Sequence, residues 1–290
     1  METDSLIHID LHSRLLVKEE PEVSSALEEV FAAEGIQRCK GKVTKVEKDG
    51  DGHTITYQSQ DGSTKGTASG DMLLVAVGRK PNTAGFGLEE IGVKLAANRC
   101  IETNDKLQTS VKGVYAAGDC TAQQQFTHYA GFQGGTACRN IILPFFDKGV
   151  KIPAAIPSAT YTSPEVSSIG LTEAQAREQW GDKNVAVAFK EMSHVDRAIC
   201  ESSTPGFIKI VYHQKNLRIL GAAIMGPSAG EMIAELGVCI ATKMPFDKLS
   251  SVTHAYPTYS IALQIMATDV LYEKTLKLKS VLNFLKRLGF

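Results

Sequence analysis

The chain has no G-x-G-x-x-G fingerprint, no C-x-x-C or C-x-x-x-x-C pair, and no excess charge of either sign. Each absence excludes something. Without a glycine fingerprint there is no loop of the kind that grips a dinucleotide at its pyrophosphate. Cys39, Cys100, Cys120, Cys138, Cys200 and Cys239 are scattered, so neither a dithiol nor paired metal-ligand spacing exists, and no metal site is expected. That scatter suits a reducing compartment, cytoplasm or organelle interior, where thiols pack as small apolar groups. With 31 Lys and Arg against 32 Asp and Glu, no chain-wide field draws nucleic acid or an anionic membrane. No apolar run approaches the roughly 20 residues a transmembrane segment needs. The opening Met1-Glu2-Thr3-Asp4-Ser5 has neither the basic start nor the apolar core of a signal peptide.

What is present suffices for two domains with real cores, since 43% of the 290 residues are apolar. The stretch 6–11 reads as a short strand ending near Asp10. Pro21 suits the first turn of a helix in which Val23, Leu27, Val30 and Phe31 recur at helical spacing. Gly35 then supplies a left-handed stop. Segments 41–48, 53–58 and 72–77 read as strands joined by Asp49-Gly50-Asp51-Gly52 and Asp61-Gly62 turns. The third is a continuous apolar run of the kind buried in a sheet. From 79 to 150 a second unit holds a strand ending at Ala116, then Gly118-Asp119, then a helix over 126–143 closed by Pro144. The proline-rich stretch 151–157 reads as a linker. Beyond 158 the pattern is α+β, with strands at 184–192, 206–213 and 217–225. Capping boxes open two helices, Thr172 with Gln175 and Ser228 with Glu231. A last helix covers 259–275, followed by a basic, apolar tail.

One segment carries the strongest chemical signal: Thr109-Ser110-Val111-Lys112-Gly113-Val114-Tyr115-Ala116-Ala117-Gly118-Asp119. Small residues at a strand end let a ligand approach the backbone, and the acid beyond them can accept hydrogen bonds from sugar-like hydroxyls. Strand-Gly-Asp is also the pattern of a plain turn. Together with Gln125-Phe126-Thr127-His128, the segment resembles the second FAD-binding motif of the pyridine nucleotide–disulfide oxidoreductases. That family includes dihydrolipoamide dehydrogenase, glutathione reductase and mercuric reductase. The resemblance implies that Gly118 and Asp119 meet the flavin's ribityl chain. It also implies that Gln125, Phe126, Thr127 and His128 present a helix N-terminus to the ring, where the positive dipole end favours the electron-rich reduced form.

Further stretches agree in the family's order. Val77-Gly78-Arg79-Lys80-Pro81-Asn82 resembles the junction leaving the nucleotide domain, with Gly78 near bound NAD(P). Val43 matches a backbone contact to the adenine side. Asp10 fits either an acid for the adenosine ribose or a plain surface aspartate. Thr162-Ser163-Pro164-Glu165, Gly170-Leu171-Thr172-Glu173 and the segment from Gly226 to Ile233 resemble the family's interface domain. The implied fold is α/β remnants of two nucleotide-binding domains followed by an α+β dimerisation domain. Residues 1–80 correspond to the second half of the NAD(P) domain and 81–150 to the C-terminal part of the FAD domain. Residues 158–280 correspond to the interface domain, and 281–290 to the basic tail. FAD, NAD(P)H and a small-molecule acceptor are the implied ligands. The implied partner is a second copy or a full-length relative.

Two departures qualify the activity. Family members carry both glycine fingerprints and the cysteine pair ahead of the region this sequence covers. The missing front half, with any targeting segment, is expected in another part of the protein or a separate polypeptide. The family also has a His-Pro-Thr-x-x-Glu pattern, whose histidine serves the partner subunit's dithiol. Here Tyr256 and Ile261 occupy those positions. A phenol with a pKa of about 10 is a poor general base at neutral pH. His254 lies two residues away, where an extended segment would point it the same way, for proton transfer or for structure alone. Tyrosine at this place leans toward the mercuric-reductase-like branch, yet the chain ends Leu285-Lys286-Arg287-Leu288-Gly289-Phe290, without that branch's vicinal cysteines. Two functions follow. One is part of a flavin-dependent oxidoreductase; the other is a non-catalytic form that dimerises with a complete relative and modulates it.

Overall fold

A computed structural model describes residues 5–121, 123–143 and 155–287. The chain divides into two units, residues 1–74 with 157–290, and residues 75–156.

In the first unit, β1 (Ile7–Asp10) pairs in parallel with β2 (Gln37–Lys40) across helix α1 (Pro21–Ala33). Pro21 sits in the first turn of α1 and Gly35 follows its end at φ +78, as the spacing predicts. Strands β3 (Lys42–Asp49), β4 (Gly52–Gln58) and β5 (Lys65–Gly70) form an antiparallel meander. The expected third strand, 72–77, does not form. Its residues join no ladder, and Leu74, Val75 and Val77 are largely exposed. A buried parallel strand needs neighbours on both edges, and the only parallel ladder among the described residues is β1 with β2.

The same unit holds a five-stranded antiparallel sheet in the order β6-β7-β10-β9-β8. These are β6 (Ser158–Thr160), β7 (Val166–Gly170), β8 (Val185–Glu191), β9 (Phe207–His213) and β10 (Ile219–Met225). One face packs on α1, where Val23 and Leu27 meet Val166, Phe207, Ala223 and Met225. It also packs on α3 (Glu173–Trp180), where Ala176 meets Val185 and Val211. Full burial of a side chain such as Leu27 contributes about 1.5–3 kcal/mol. Tyr212, of opposite parity on β9, lies 5.6 Å from the ring of Phe246. The remaining helices are α4 (Asp196–Cys200), α5 (Ala229–Thr242) and α6 (Ile261–Arg287). Helix α6 continues well past residue 275, through most of the stretch read as a tail. Residues 288–290 of that tail lie outside the described residues.

The second unit contains α2 (Thr127–Ile142) and a single turn of 3-10 helix at Gly118–Cys120. The expected strand ending at Ala116 is reduced to an isolated bridge, Gln108 with Tyr115. Among the described residues it has no second strand to ladder with. Pro144 and most of the proline-rich stretch lie outside the described residues.

Candidate functional site

The Gly118-Asp119 turn is fixed to α2. Gly118 adopts φ +81, and a Cβ there would lie 2.9 Å from the Cβ of Ala130, so glycine alone permits this approach. Its amide donates to Gln133 Oε1 at 2.6 Å. Gln133 is fully buried and donates through Nε2 to Gln123 Oε1 at 2.8 Å, an oxygen that also accepts from Tyr129. Thr121 closes the turn, its hydroxyl donating to the Gly118 carbonyl at 2.8 Å.

This clamp leaves Asp119 half-exposed, 3.7 Å from Arg79 Nη1. Both partners face solvent, so the pair is worth less than about 1 kcal/mol and is easily exchanged for other donors. Phe126 is the extended N-cap of α2, and its own side chain makes no capping hydrogen bond. The rings of Phe126 and His128 stack 5.2 Å apart, while Gln125 and Thr127 are exposed. A carboxylate able to accept from hydroxyls and a helix N-terminus whose N-cap residue is apolar fit the ribityl and ring ends of a flavin. Arg79 and Gln133 are neighbours of the Gly118-Asp119 turn that its local sequence does not announce. They stand 40 and 14 residues or so from Asp119 in the chain (roughly, since no periodicity links them), and the fold alone brings them in.

The three expected NAD(P) positions have simpler surroundings. Gly78 sits at φ +133 with open space where a Cβ would go, so backbone conformation rather than crowding calls for glycine. Val43 is half-exposed on β3, an edge strand. Asp10 ends β1, accepts from the His12 amide at 3.0 Å and lies 3.6 Å from Arg38.

In the first unit, His254 and Tyr256 engage different partners. His254 is nearly buried, with Nδ1 2.9 Å from the Val252 carbonyl and Nε2 2.9 Å from Glu235 Oε1. A carbonyl can only accept, so Nδ1 carries a proton. Nε2 donates to Glu235 when the imidazole is protonated. Burial alone would lower the imidazole's pKa, but the bond to Glu235 and the Val252 carbonyl together raise it. In the protonated form both nitrogens donate and His254 has no free lone pair, and the raised pKa extends that form to higher pH.

The Tyr256 hydroxyl donates to Asp196 Oδ2 at 2.9 Å, which raises its pKa, and its ring is exposed. Tyr259 donates to Glu201, and burial with that carboxylate pushes its pKa up to about 12. Both phenols are therefore held neutral. Ile261 opens α6, its amide donating to the hydroxyl of Thr258 at 3.3 Å.

Known proteins give this arrangement its context. Residues 4–134 match the pyridine nucleotide-disulphide oxidoreductase model, and residues 156–267 match the dimerisation domain of the same family. A dihydrolipoyl dehydrogenase from Corynebacterium glutamicum is 34% identical over 268 residues, covering 90% of this chain and 56% of its own length. A mercuric reductase from Lysinibacillus sphaericus is 34% identical over 255 residues, 88% of this chain and 46% of that protein. Among solved structures, the HOCl-induced flavoprotein disulfide reductase RclA from Escherichia coli superposes with a TM-score of 0.83. That pair is 22% identical and covers 91% of this chain and 59% of RclA. The chain belongs to the pyridine nucleotide–disulfide oxidoreductases, with nucleotide-domain and dimerisation-domain sequence of that fold. It spans about half the length of the curated relatives it matches.

Proposed function

We propose that this chain is the C-terminal part of an FAD-dependent oxidoreductase that passes electrons from NAD(P)H to a disulfide or related small acceptor. The observation that carries this reading is the Gly118-Asp119 turn clamped to α2 through Gln133 and Ala130. Asp119 would hold the ribityl hydroxyls, and the first turn of α2, with Gln125, Phe126, Thr127 and His128, would face the ring. The bound flavin would supply the hydride acceptor and the relay of electrons to the acceptor. Residues near Gly78, Val43 and Asp10 would border the nicotinamide nucleotide. The redox-active cysteines and both pyrophosphate loops would come from sequence outside these 290 residues. In this reading 1–80 and 81–150 are partial nucleotide-binding domains and 158–280 the interface of a homodimer. Tyr256 and Ile261 replace the family's acid–base pair, so proton transfer to the dithiol falls to some other group. Six cysteines, all free, support a reducing compartment.

The test is flavin content. The 290-residue chain purifies with little or no FAD, because a ribityl anchor without a pyrophosphate loop holds only one end of the cofactor. Restoring an upstream segment with both fingerprints recovers a flavin spectrum. Asp119→Ala in that longer form weakens FAD binding about 10- to 100-fold, the worth of hydrogen bonds to a charged group. Stoichiometric flavin in the isolated chain would overturn the reading. Dimerisation without flavin, together with altered activity of a complete relative on mixing, would favour the non-catalytic role instead.

A further inference from the structure

Spacing along the sequence pairs none of the six cysteines, but the fold brings two of them together. Within the second unit, Ile101 and Thr121 form an isolated parallel bridge, and the Ile101 amide donates to the Cys120 carbonyl at 2.7 Å. Cys100 and Cys120 each precede a member of that bridge. Adjacent parallel segments run about 4.8 Å apart, and a disulfide spans Cα atoms about 4.4–6.8 Å apart. Cys100 is buried, while Cys120 is half-buried against Val93, Ile101 and Ala116. The Cys120 thiol donates to the Ala117 carbonyl at 3.3 Å. Burial pushes that thiol's pKa up, and Cys100 adds more to the rise than the adjacent Asp119 carboxylate does, so the two sulfurs lie in each other's field. The other cysteines stand on β2, α2, α4 and α5, and no ladder or bridge among the described residues pairs any of them with another.

We propose that Cys100 and Cys120 are a redox-active pair that a small-molecule disulfide converts reversibly to an intrachain disulfide, tying down the Gly118-Asp119 turn. The half-buried Cys120 reacts first, as its thiolate. Its sulfur bonds to one sulfur of the small disulfide RSSR, the S–S bond breaks, and RS⁻ leaves. Cys100 then attacks the Cys120 sulfur of the mixed disulfide and displaces a second RS⁻. The protons given up by the two cysteines end on two RSH, so the protein loses two electrons and the small disulfide gains them. The new bond closes the loop that carries Gly118 and Asp119, in a stretch, 75–121, that has isolated bridges and no ladder among the described residues. A crosslink over a loop of this size restricts the opened chain by about a hundredfold. In a reducing compartment such a bond is transient and senses oxidant.

The experiment is incubation of the full 290-residue chain with excess oxidised glutathione at about pH 8.5, where thiolate is available. The remaining thiols are then alkylated and the peptides mapped by mass spectrometry. The expected product is a Cys100–Cys120 linked peptide pair that dithiothreitol separates again. Cys100→Ser should arrest Cys120 as the mixed disulfide with glutathione. Amide exchange at Gly118 and Asp119 should slow about a hundredfold on oxidation of the native chain, and stay unchanged in Cys100→Ser. Linkage of either cysteine to a different one, arrest of the native chain at the mixed disulfide, or failure of both thiols to react would overturn the proposal. So would linkage that leaves exchange at Gly118 and Asp119 as it was. A Cys100–Cys120 bond that forms no faster in the folded chain than in urea would overturn it too, because random encounter would then account for the pairing.

Discussion

Lys209 in the middle of β9 shows how a single residue can hold two distant stretches of sequence together. Its side chain is 3% exposed and meets Glu22 at 2.7 Å, Glu173 at 2.8 Å and Glu20 at 3.1 Å. Burial alone would strip the proton from an ammonium, but three carboxylates keep it charged and raise its pKa. The Lys209 bond, with help from Arg177, holds the Glu173 carboxyl below its usual range. The other oxygen of Glu20 accepts from the Glu173 amide at 2.6 Å, so the cluster ties the starts of α1 and α3 to the sheet. Lys209→Ala strands the buried Glu20 carboxylate and should cost about 3–5 kcal/mol in urea unfolding. Glu22→Gln, at a side chain 47% exposed, should cost less than about 1 kcal/mol. Similar costs for the two would contradict this account. His254 supplies a pH signature at the same scale. Its pKa is raised in the folded state, so its contribution is complete below the ordinary imidazole value and fades as pH climbs through the raised one. The melting-temperature gap between the native chain and Glu235→Gln should therefore be widest below about pH 6.5 and close on the alkaline side. A gap that widens with pH would rule out the imidazolium.

Among the elements, the two helix starts predicted as capping boxes came out differently. At α3 the box is present: Thr172 accepts from the Gln175 amide, and the Gln175 side chain accepts in return from the Thr172 amide. Every partner lies within one turn, so the sequence suffices. At α5 the expected box is absent, because Ser228 takes a left-handed φ of +58 and makes no side-chain cap. Its place is filled by Glu165, whose carboxylate accepts from the Gly230 amide at 2.8 Å across 65 residues of sequence. No local pattern can announce a cap that distant. The same division governs the strands and the site. Helix α1 and the turns around Gly50 and Gly62 were legible from neighbours in sequence. Strands β5, β6 and β7 are short and polar, and exist through ladders with partners elsewhere. Asp119 was legible as a motif, whereas Arg79 beside it was not. The α5 correction is testable: Ser228→Ala should be near neutral and Ser228→Gly stabilising by up to about 1 kcal/mol, since glycine removes the left-handed penalty. Glu165→Ala should cost about 0.5–2 kcal/mol, as loss of a cap does. Destabilisation by Ser228→Ala beyond that of Glu165→Ala in urea titrations would restore the capping box.

Over the whole molecule, the two units differ in how they are held. Residues 1–74 with 157–290 contain a continuous sheet with Ile208, Ile210, Ile224 and Met225 fully buried, and helices contribute to its core. Residues 75–121 have only isolated bridges, with small apolar clusters such as Val93, Ile101 and Ala116, or Leu107 with Ala137. Local opening is easiest where backbone bonds face solvent and few apolar groups are buried. In the 290-residue chain, amides of 75–121 should exchange with deuterium at least about a hundredfold faster than those of β9 and β10. If the flavin reading is right, the form restored with an upstream segment and FAD should slow exchange around Gly118 and Asp119 while leaving β9 unchanged, because a ligand protects the region it binds. Uniform slow exchange in the isolated chain would mean that 75–121 is already complete without a partner segment. Faster exchange there that FAD does not slow would separate the stability of this unit from flavin binding and leave Asp119 as a turn residue only.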